Sequence, residues 1–301
     1  MTTLLFAGAT GNIAKRAIKN LQNANVTIKA GIREAELEVG RAHFASQQNV
    51  DVVELDLLKP ETFKPAFEGV DIVYFATLLA VPGEFEKAYI EAAQAAGTVK
   101  HIIHSTGSTA DVPEVFKLCS EFIFEREALT RESGINYTFL RPLMFMENFA
   151  TMLAPSIRNE DGWSEPLIGS AEVAYVDVQD IANVVSSIAL SPTAHEGKTY
   201  TLSGPDAISS DVIAELLSEA LDRKITYTEM SAEDWSSANW GGVEVADSNN
   251  WLFNILRENY QGFALGAEGK NLLNDNIKNI TGKEPTSFRA FIARSVNVWK
   301  K

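Results

Sequence analysis

Through the first 142 positions, short runs of β-branched and aromatic residues alternate with segments whose apolar positions recur every three to four residues, which predicts repeated strand–helix units. The pattern predicts strands at 3–7, 26–31, 50–55, 71–76, 100–105 and 136–140. Most are apolar at successive positions, as strands of a parallel sheet covered on both faces should be. Ile13, Ala17, Ile18 and Leu21 make one face of a first helix, Pro60 sits early in a short one, and a helix beginning near Phe85 ends at Gly97. Strands at 173–176 and 199–202 flank a helix over 178–190 that stops before Pro192, and both are expected to return to the same sheet. After Gly204-Pro205 the texture changes: Ser209 or Ser210 caps a helix to Leu221, 224–228 reads as a short strand, and the rest is mostly helical. The stretch 159–169 reads as a long irregular loop bordering a cleft.

Gly8-Ala9-Thr10-Gly11-Asn12-Ile13-Ala14 follows the first strand and opens the first helix, the context that makes a glycine pattern informative. Gly8 allows a tight exit from the strand, Gly11 lets backbone N–H groups approach a diphosphate, and Ala14 is small enough for helix to meet strand. The helix N-terminus adds partial positive charge. A turn with no ligand is the structural alternative. The expected fold is α/β, a Rossmann-type doubly wound parallel sheet with a smaller, mostly helical C-terminal substrate lobe. Residues 1–148, with 172–204 returning to the sheet, form the dinucleotide-binding domain; 149–171 and 205–301 form the lobe.

The choice of dinucleotide depends on the end of the second strand, where an acidic side chain would accept from a ribose 2′-hydroxyl. Here the sequence is Ala30-Gly31-Ile32-Arg33, with no carboxylate at the strand end. Arg33 offers a guanidinium suited to a 2′-phosphate, with Lys15 or Arg16 as helpers, so NADP(H) is expected in preference to NAD(H). The plainer reading makes Arg33 a solvated loop residue paired with Glu34.

Composition narrows the function classes. With 26 basic against 40 acidic side chains the net charge is −14, which repels nucleic acid and anionic membrane surfaces. Cys119 is the only cysteine and the four histidines are scattered, so neither an internal disulfide nor a metal site is expected. The apolar run 4–7 is broken at once by Gly8, which predicts neither a signal peptide nor a membrane span, and a cytoplasmic location by default.

Several further segments carry a resemblance: Gly69-Val70-Asp71, Ser133 to Pro142 (Ser-Gly-Ile-Asn-Tyr-Thr-Phe-Leu-Arg-Pro), Glu147-Asn148-Phe149, Tyr175 to Ala182 (Tyr-Val-Asp-Val-Gln-Asp-Ile-Ala) and Gly197 to Gly204 (Gly-Lys-Thr-Tyr-Thr-Leu-Ser-Gly). With Gly8-Ala-Thr-Gly11 and Arg33, in this order and over nearly the whole chain, they resemble the atypical short-chain dehydrogenase/reductases. Within these they resemble the NmrA-like group, which includes NADPH-dependent quinone reductases and redox-sensing regulators. The resemblance implies a dinucleotide bound through Gly8, Thr10, Gly11, Asn12, Ile13 and Arg33. Its nicotinamide would lie near Thr77, Leu78 and Leu79, near Ser105, Thr106 and Gly107, and near Pro142, Leu143 and Met144.

One departure concerns catalysis. The wider superfamily uses Tyr-x-x-x-Lys, but no tyrosine here has lysine four residues on, and the matching helix reads Phe122-Ile123-Phe124-Glu125-Arg126. Two readings follow. In one, hydride passes to a quinone-like or other small electrophilic acceptor held between apolar walls, for which Leu79, Phe145, Phe149 and Trp163 are candidates, with Asn148 either binding substrate or capping the next helix. In the other, NADP(H) is a regulatory ligand that shifts binding to a protein partner without turnover. A small molecule is thus the expected partner, with a homodimer or a regulatory protein left open. The catalytic candidates are His104, if its ring faces the cleft, Ser105 and Arg126, the last lying in a charge run, Glu125-Arg126-Glu127, that otherwise reads as a solvated helix face. Asp180, near a helix start, reads as a cap, and Arg141 as orienting the cleft floor.

Overall fold

All six strands expected before residue 143 form, each end within two residues of its expected place: β1 Thr2–Ala7, β2 Val26–Ile32, β3 Val50–Glu54, β4 Ile72–Ala76, β5 His101–Ser105 and β6 Asn136–Pro142. The computed structural model describes residues 1–78, 81–231, 234 and 251–301. With β10, Lys198–Leu202, the six strands make one seven-stranded sheet in the order β10-β6-β5-β4-β1-β2-β3, and the pairings along β3-β2-β1-β4-β5-β6 are parallel. The chain builds outward from β1 through β2 to β3, then crosses to the other side of β1 for β4, β5 and β6. That reversal between β1 and β4 opens a crevice at the carboxyl ends of the strands, where sheets of this kind bind ligands. The fold is the doubly wound α/β arrangement.

The chain divides into two compact units: residues 1–107, 123–141 and 179–200, and residues 108–122, 142–178 and 201–301. In the first, Leu5, Val73, Phe75 and Ile102 from β1, β4 and β5 pack against α3 (Phe63–Phe67) and α4 (Gly83–Ala96), with Tyr89 edge-on to Phe63 at 5.4 Å between ring centres. Helix α8, Val178–Leu190, packs on α1, Asn12–Asn20, where Ser186 donates to the Ala17 carbonyl at 3.3 Å.

The second unit corrects two expectations. The strand at 173–176 forms as β9, Glu172–Val176, but it does not return to the large sheet: it pairs parallel with β7 (Met144–Phe145) and antiparallel with β11 (Ala207–Ser209). Hydrophobicity marks a strand but carries no address, and the two short partners were too brief to be legible. The expected irregular stretch 159–169 contains β8, Gly162–Glu165, paired with β12, Thr226–Glu229. Glycine is required at the start of β8, because a Cβ at Gly162 would stand 2.5 Å from the Thr226 carbonyl oxygen. Phe149 centres this unit's aromatic core, with ring centres 5.4 Å from Trp163, 5.7 Å from Tyr175 and 5.2 Å from Phe288. Among the described residues no helix is long and apolar enough to cross a membrane, and no cluster of His, Cys, Asp and Glu is placed to hold a metal.

Candidate functional site

The turn after β1 is built from its glycines. Gly8 has φ +62°, a conformation that L side chains rarely adopt, and its carbonyl accepts from Gly11 N at 2.8 Å. A Cβ at Gly11 would lie 3.0 Å from that same oxygen. Ala9 N donates to the Gly31 carbonyl at 3.0 Å, tying the turn to the end of β2. Gly11 is the N-cap of α1 and supplies no side chain, so no side chain caps the first-turn amides, with Gly11 and Asn12 exposed, Thr10 and Ile13 half-buried, and Ala14 buried. A diphosphate fits this cradle: it needs N–H donors, a helix start and no Cβ in the way.

Arg33 follows β2 and is exposed, but its partner is not Glu34. It pairs with Glu36, whose other oxygen accepts from Thr10 Oγ1 at 2.8 Å; Glu34 is held instead by Lys59 at 2.6 Å. The turn Glu34–Glu36 folds back on Arg33, with Glu36 N donating to the Arg33 carbonyl at 2.9 Å, and this places the carboxylate three positions on rather than the adjacent one beside the guanidinium. Arg16 bonds to the carbonyl of its own helix start, Asn12, at 2.8 Å.

Beyond β4 and β5, Thr77 is half-buried and Leu78 exposed, Ser105 is buried and Thr106 half-buried; Leu79 lies outside the described residues. Thr106 is fixed by its N–H to the Leu140 carbonyl at 2.8 Å and by its hydroxyl to Glu127 at 3.0 Å. Glu127 also takes Arg141 Nε at 2.9 Å and Nη2 at 2.8 Å. Arg141 therefore orients the loop after β5 through a carboxylate.

The charge run on α5, Lys117–Glu132, is not a solvated face. Glu127 is 0% and Arg126 7% exposed. Helix periodicity turns both inward, where each meets an opposite charge: Arg141 for Glu127, and Glu86 for Arg126 at 3.8 Å. Arg126 also lies against the start of α4, where a Cβ at Gly83 would meet its guanidinium at 2.0 Å. That is a packing role.

His104 is likewise sealed. It stacks on Phe75 with ring centres 4.1 Å apart, and both nitrogens are engaged, Nδ1 with Thr130 Oγ1 at 2.9 Å and Nε2 with Thr77 Oγ1 at 2.7 Å. Because the Thr77 hydroxyl donates to Glu86 at 3.2 Å, it accepts the Nε2 proton, and Nδ1 accepts from Thr130. The ring fixes Thr77 at the end of β4 and faces no cleft.

In the second unit, Pro142, Phe149 and Trp163 are buried and Phe145 and Asn148 half-buried. Asn148 lies inside helix α6, Glu147–Ala150, and does not cap the next one, whose N-cap is Leu153; only its backbone carbonyl reaches forward, to Leu153 N at 3.0 Å. Phe149 and Trp163 are core residues. Asp177 accepts from Arg294 at 2.6 Å, while Asp180 lies in the first turn of α8. Two carboxyls that sequence reading passed over are buried here. Glu165 accepts from Trp163 Nε1 at 3.2 Å, and Glu268 from Ser108 Oγ at 2.5 Å; burial pushes each carboxyl up to about 7. Ser108 and Glu268 are 160 positions apart, and no local signal joins them.

Comparison with known proteins agrees with this geometry. The model of the NmrA-like family matches residues 1–251. An NAD(P)H azoreductase of Xenophilus azovorans is 32% identical over 293 residues, covering 96% of each chain. Among solved structures, an NADPH-dependent quinone oxidoreductase from Escherichia coli, complexed with NADPH, superposes with TM-score 0.76 at 25% identity over 98% of each chain. NmrA, a negative transcriptional regulator solved with NAD, shares the fold at TM-score 0.75 and 16% identity, over 97% of this chain and 94% of its own. With the glycine cradle, the reversal of strand order and a family match over most of its length, this chain belongs to the NmrA-like family.

Proposed function

We propose that the protein is an NADP(H)-dependent reductase that passes hydride to a small electrophilic acceptor of the quinone or azo type. The observation that carries this reading is the cradle at Gly8–Gly11, with Arg33 at the end of the neighbouring strand. The similarity to an NAD(P)H azoreductase and to an NADPH-dependent quinone oxidoreductase supports it.

In this reading Gly8, Thr10, Gly11, Asn12 and Ile13 hold the diphosphate, Arg33 holds the 2′-phosphate, and Thr77, Leu78, Ser105, Thr106 and Pro142 border the nicotinamide. Coenzyme binding rests chiefly on the first unit, which carries the glycine turn and Arg33, and acceptor binding on the second. Phe145 and Asn148 are the acceptor-side candidates, with Phe149 and Trp163 as the packed layer that supports them. The coenzyme supplies the hydride. What this chain adds is position: the Glu127–Arg141 pair holds Thr106, and the His104–Glu86 pair holds Thr77, so both loops are set before a ligand arrives. Reduction of a quinone by hydride also consumes one proton, which water supplies, so no Tyr-x-x-x-Lys pair is needed.

A second reading, nucleotide sensing without turnover, is favoured by one observation: His104, the histidine nearest the loop after β5, has both ring nitrogens engaged and offers no proton. Mixing the protein with NADPH and a panel of quinones and azo dyes, and following the absorbance of reduced nicotinamide, separates the two. Acceptor-dependent oxidation is the expected result. Tight NADPH binding with no oxidation by any acceptor would establish the sensor.

A further inference from the structure

One carboxylate joins the two points between which an adenosine ribose lies in a site of this type. Glu36 accepts from Thr10 Oγ1, in the glycine turn, at 2.8 Å, and with its other oxygen it pairs with the Arg33 guanidinium, at the end of β2. Its placement is built into the chain, because the turn Glu34–Glu36 closes on the Arg33 carbonyl through a 2.9 Å backbone bond. Thr10 and Arg33 hold the Glu36 carboxyl below the usual range, so it is charged at neutral pH. The second cation nearby, Lys59, is occupied by Glu34 at 2.6 Å. Arg33 and Lys59 therefore both already have carboxylate partners.

A ribose 2′-hydroxyl and a 2′-phosphate meet this arrangement differently. The hydroxyl donates to Glu36 while Arg33 stays paired, and no charge has to move. The phosphate has to draw Arg33 away from Glu36 and then sit beside a carboxylate that has lost its counter-ion. Resting on the reading that the cradle binds a dinucleotide, the geometry points to Glu36 as the residue that sets coenzyme choice: it reads the 2′-hydroxyl of NADH and opposes the 2′-phosphate of NADPH. Arg33 and Glu36 form one device whose two ends favour different coenzymes, and the protein accepts both.

Titrating NADPH and NADH into the wild type, Glu36→Gln, Glu36→Ala and Arg33→Ala, by calorimetry, tests this. The wild type is expected to bind the two coenzymes within about tenfold of each other, since Arg33 and Glu36 are both partly exposed and their contributions are modest. Glu36→Gln is expected to tighten NADPH and weaken NADH, shifting the ratio of their affinities by roughly tenfold or more, the scale of one charge-assisted contact. Glu36→Ala should shift it the same way, and Arg33→Ala should weaken NADPH while sparing NADH. If both coenzymes bind the wild type but neither Glu36 variant changes the ratio, or both coenzymes move together, the assignment of Glu36 is wrong and the dinucleotide site stands. If neither coenzyme binds the wild type, the site itself is wrong and this assignment goes with it.

Discussion

The first unit pairs its buried charges, whereas the second leaves two buried carboxyls with neutral donors. Glu127, fully buried, has both oxygens on Arg141, and Glu86 has Arg126 and the His104–Thr77 chain. In the second unit Asp177 is paired with Arg294, but Glu165 is bonded to Trp163 and Glu268 to Ser108, and both take up protons near neutral pH. The difference teaches where rigidity is placed. Salt-bridged carboxylates sit beneath Thr77 and Thr106, the loop residues that border the proposed nicotinamide position. The second unit carries groups whose charge changes within the physiological range.

The largest test removes the feature on which the proposed coenzyme binding rests. Gly11→Val puts a branched side chain where even a Cβ approaches the Gly8 carbonyl at 3.0 Å, and it is expected to weaken NADPH at least about 100-fold by calorimetry while the second unit's near-ultraviolet dichroism is unchanged. Unaltered affinity would detach the glycine turn from the ligand.

Next in size is the comparison itself. Arg141→Ala strands the buried Glu127 charge and should cost about 3–5 kcal/mol in denaturant unfolding. Glu268→Gln keeps the shape of an already neutral group and should cost no more than about 1 kcal/mol at pH 5. Equal losses would erase the distinction between the units.

The pH dependence sharpens it. Burial, with a smaller contribution from His195, lowers His101 to about 4, so the unfolded chain takes up a proton first, and this contribution to stability is lost as pH falls from 6.5 to about 4. Glu165 and Glu268 behave in the opposite sense. Their raised values mean that their contribution is complete below 4.5 and is lost as pH rises from 4.5 to about 7, at roughly 1 kcal/mol per pH unit for each. Urea midpoints across this range should fall less steeply toward neutral pH in Glu165→Gln and Glu268→Gln; a parallel profile would mean that these carboxyls are already ionised in the folded protein. The smallest effect belongs to Arg131, half-exposed and 3.5 Å from the same Glu127: Arg131→Ala should cost less than about 1 kcal/mol, which shows whether the buried partner alone matters.

Much of the first unit was legible because its signals are local. Gly8 and Gly11 stand three positions apart between a strand and a helix, and the alternation of apolar runs located each strand to within two residues. The address of β9 was not legible, since its partners β7 and β11 are two and three residues long. Nor was the inward turn of Arg126 and Glu127, because a charge run looks the same whether its counter-charges are water or a distant arginine. Glu36 could have been found: it stands three residues after Arg33, and a tight turn brings such a pair together.

Chain order alone, through the spacing of glycines and of apolar positions, determined the parallel sheet, the glycine turn after β1 and the cation after β2, since each depends on neighbours within about ten residues. Only tertiary structure decided which buried acids would meet a counter-charge. The partners are set by the folded chain and not by local sequence: Ser108, which donates to Glu268, is 160 positions from it, and Arg141, which pairs with Glu127, is 14.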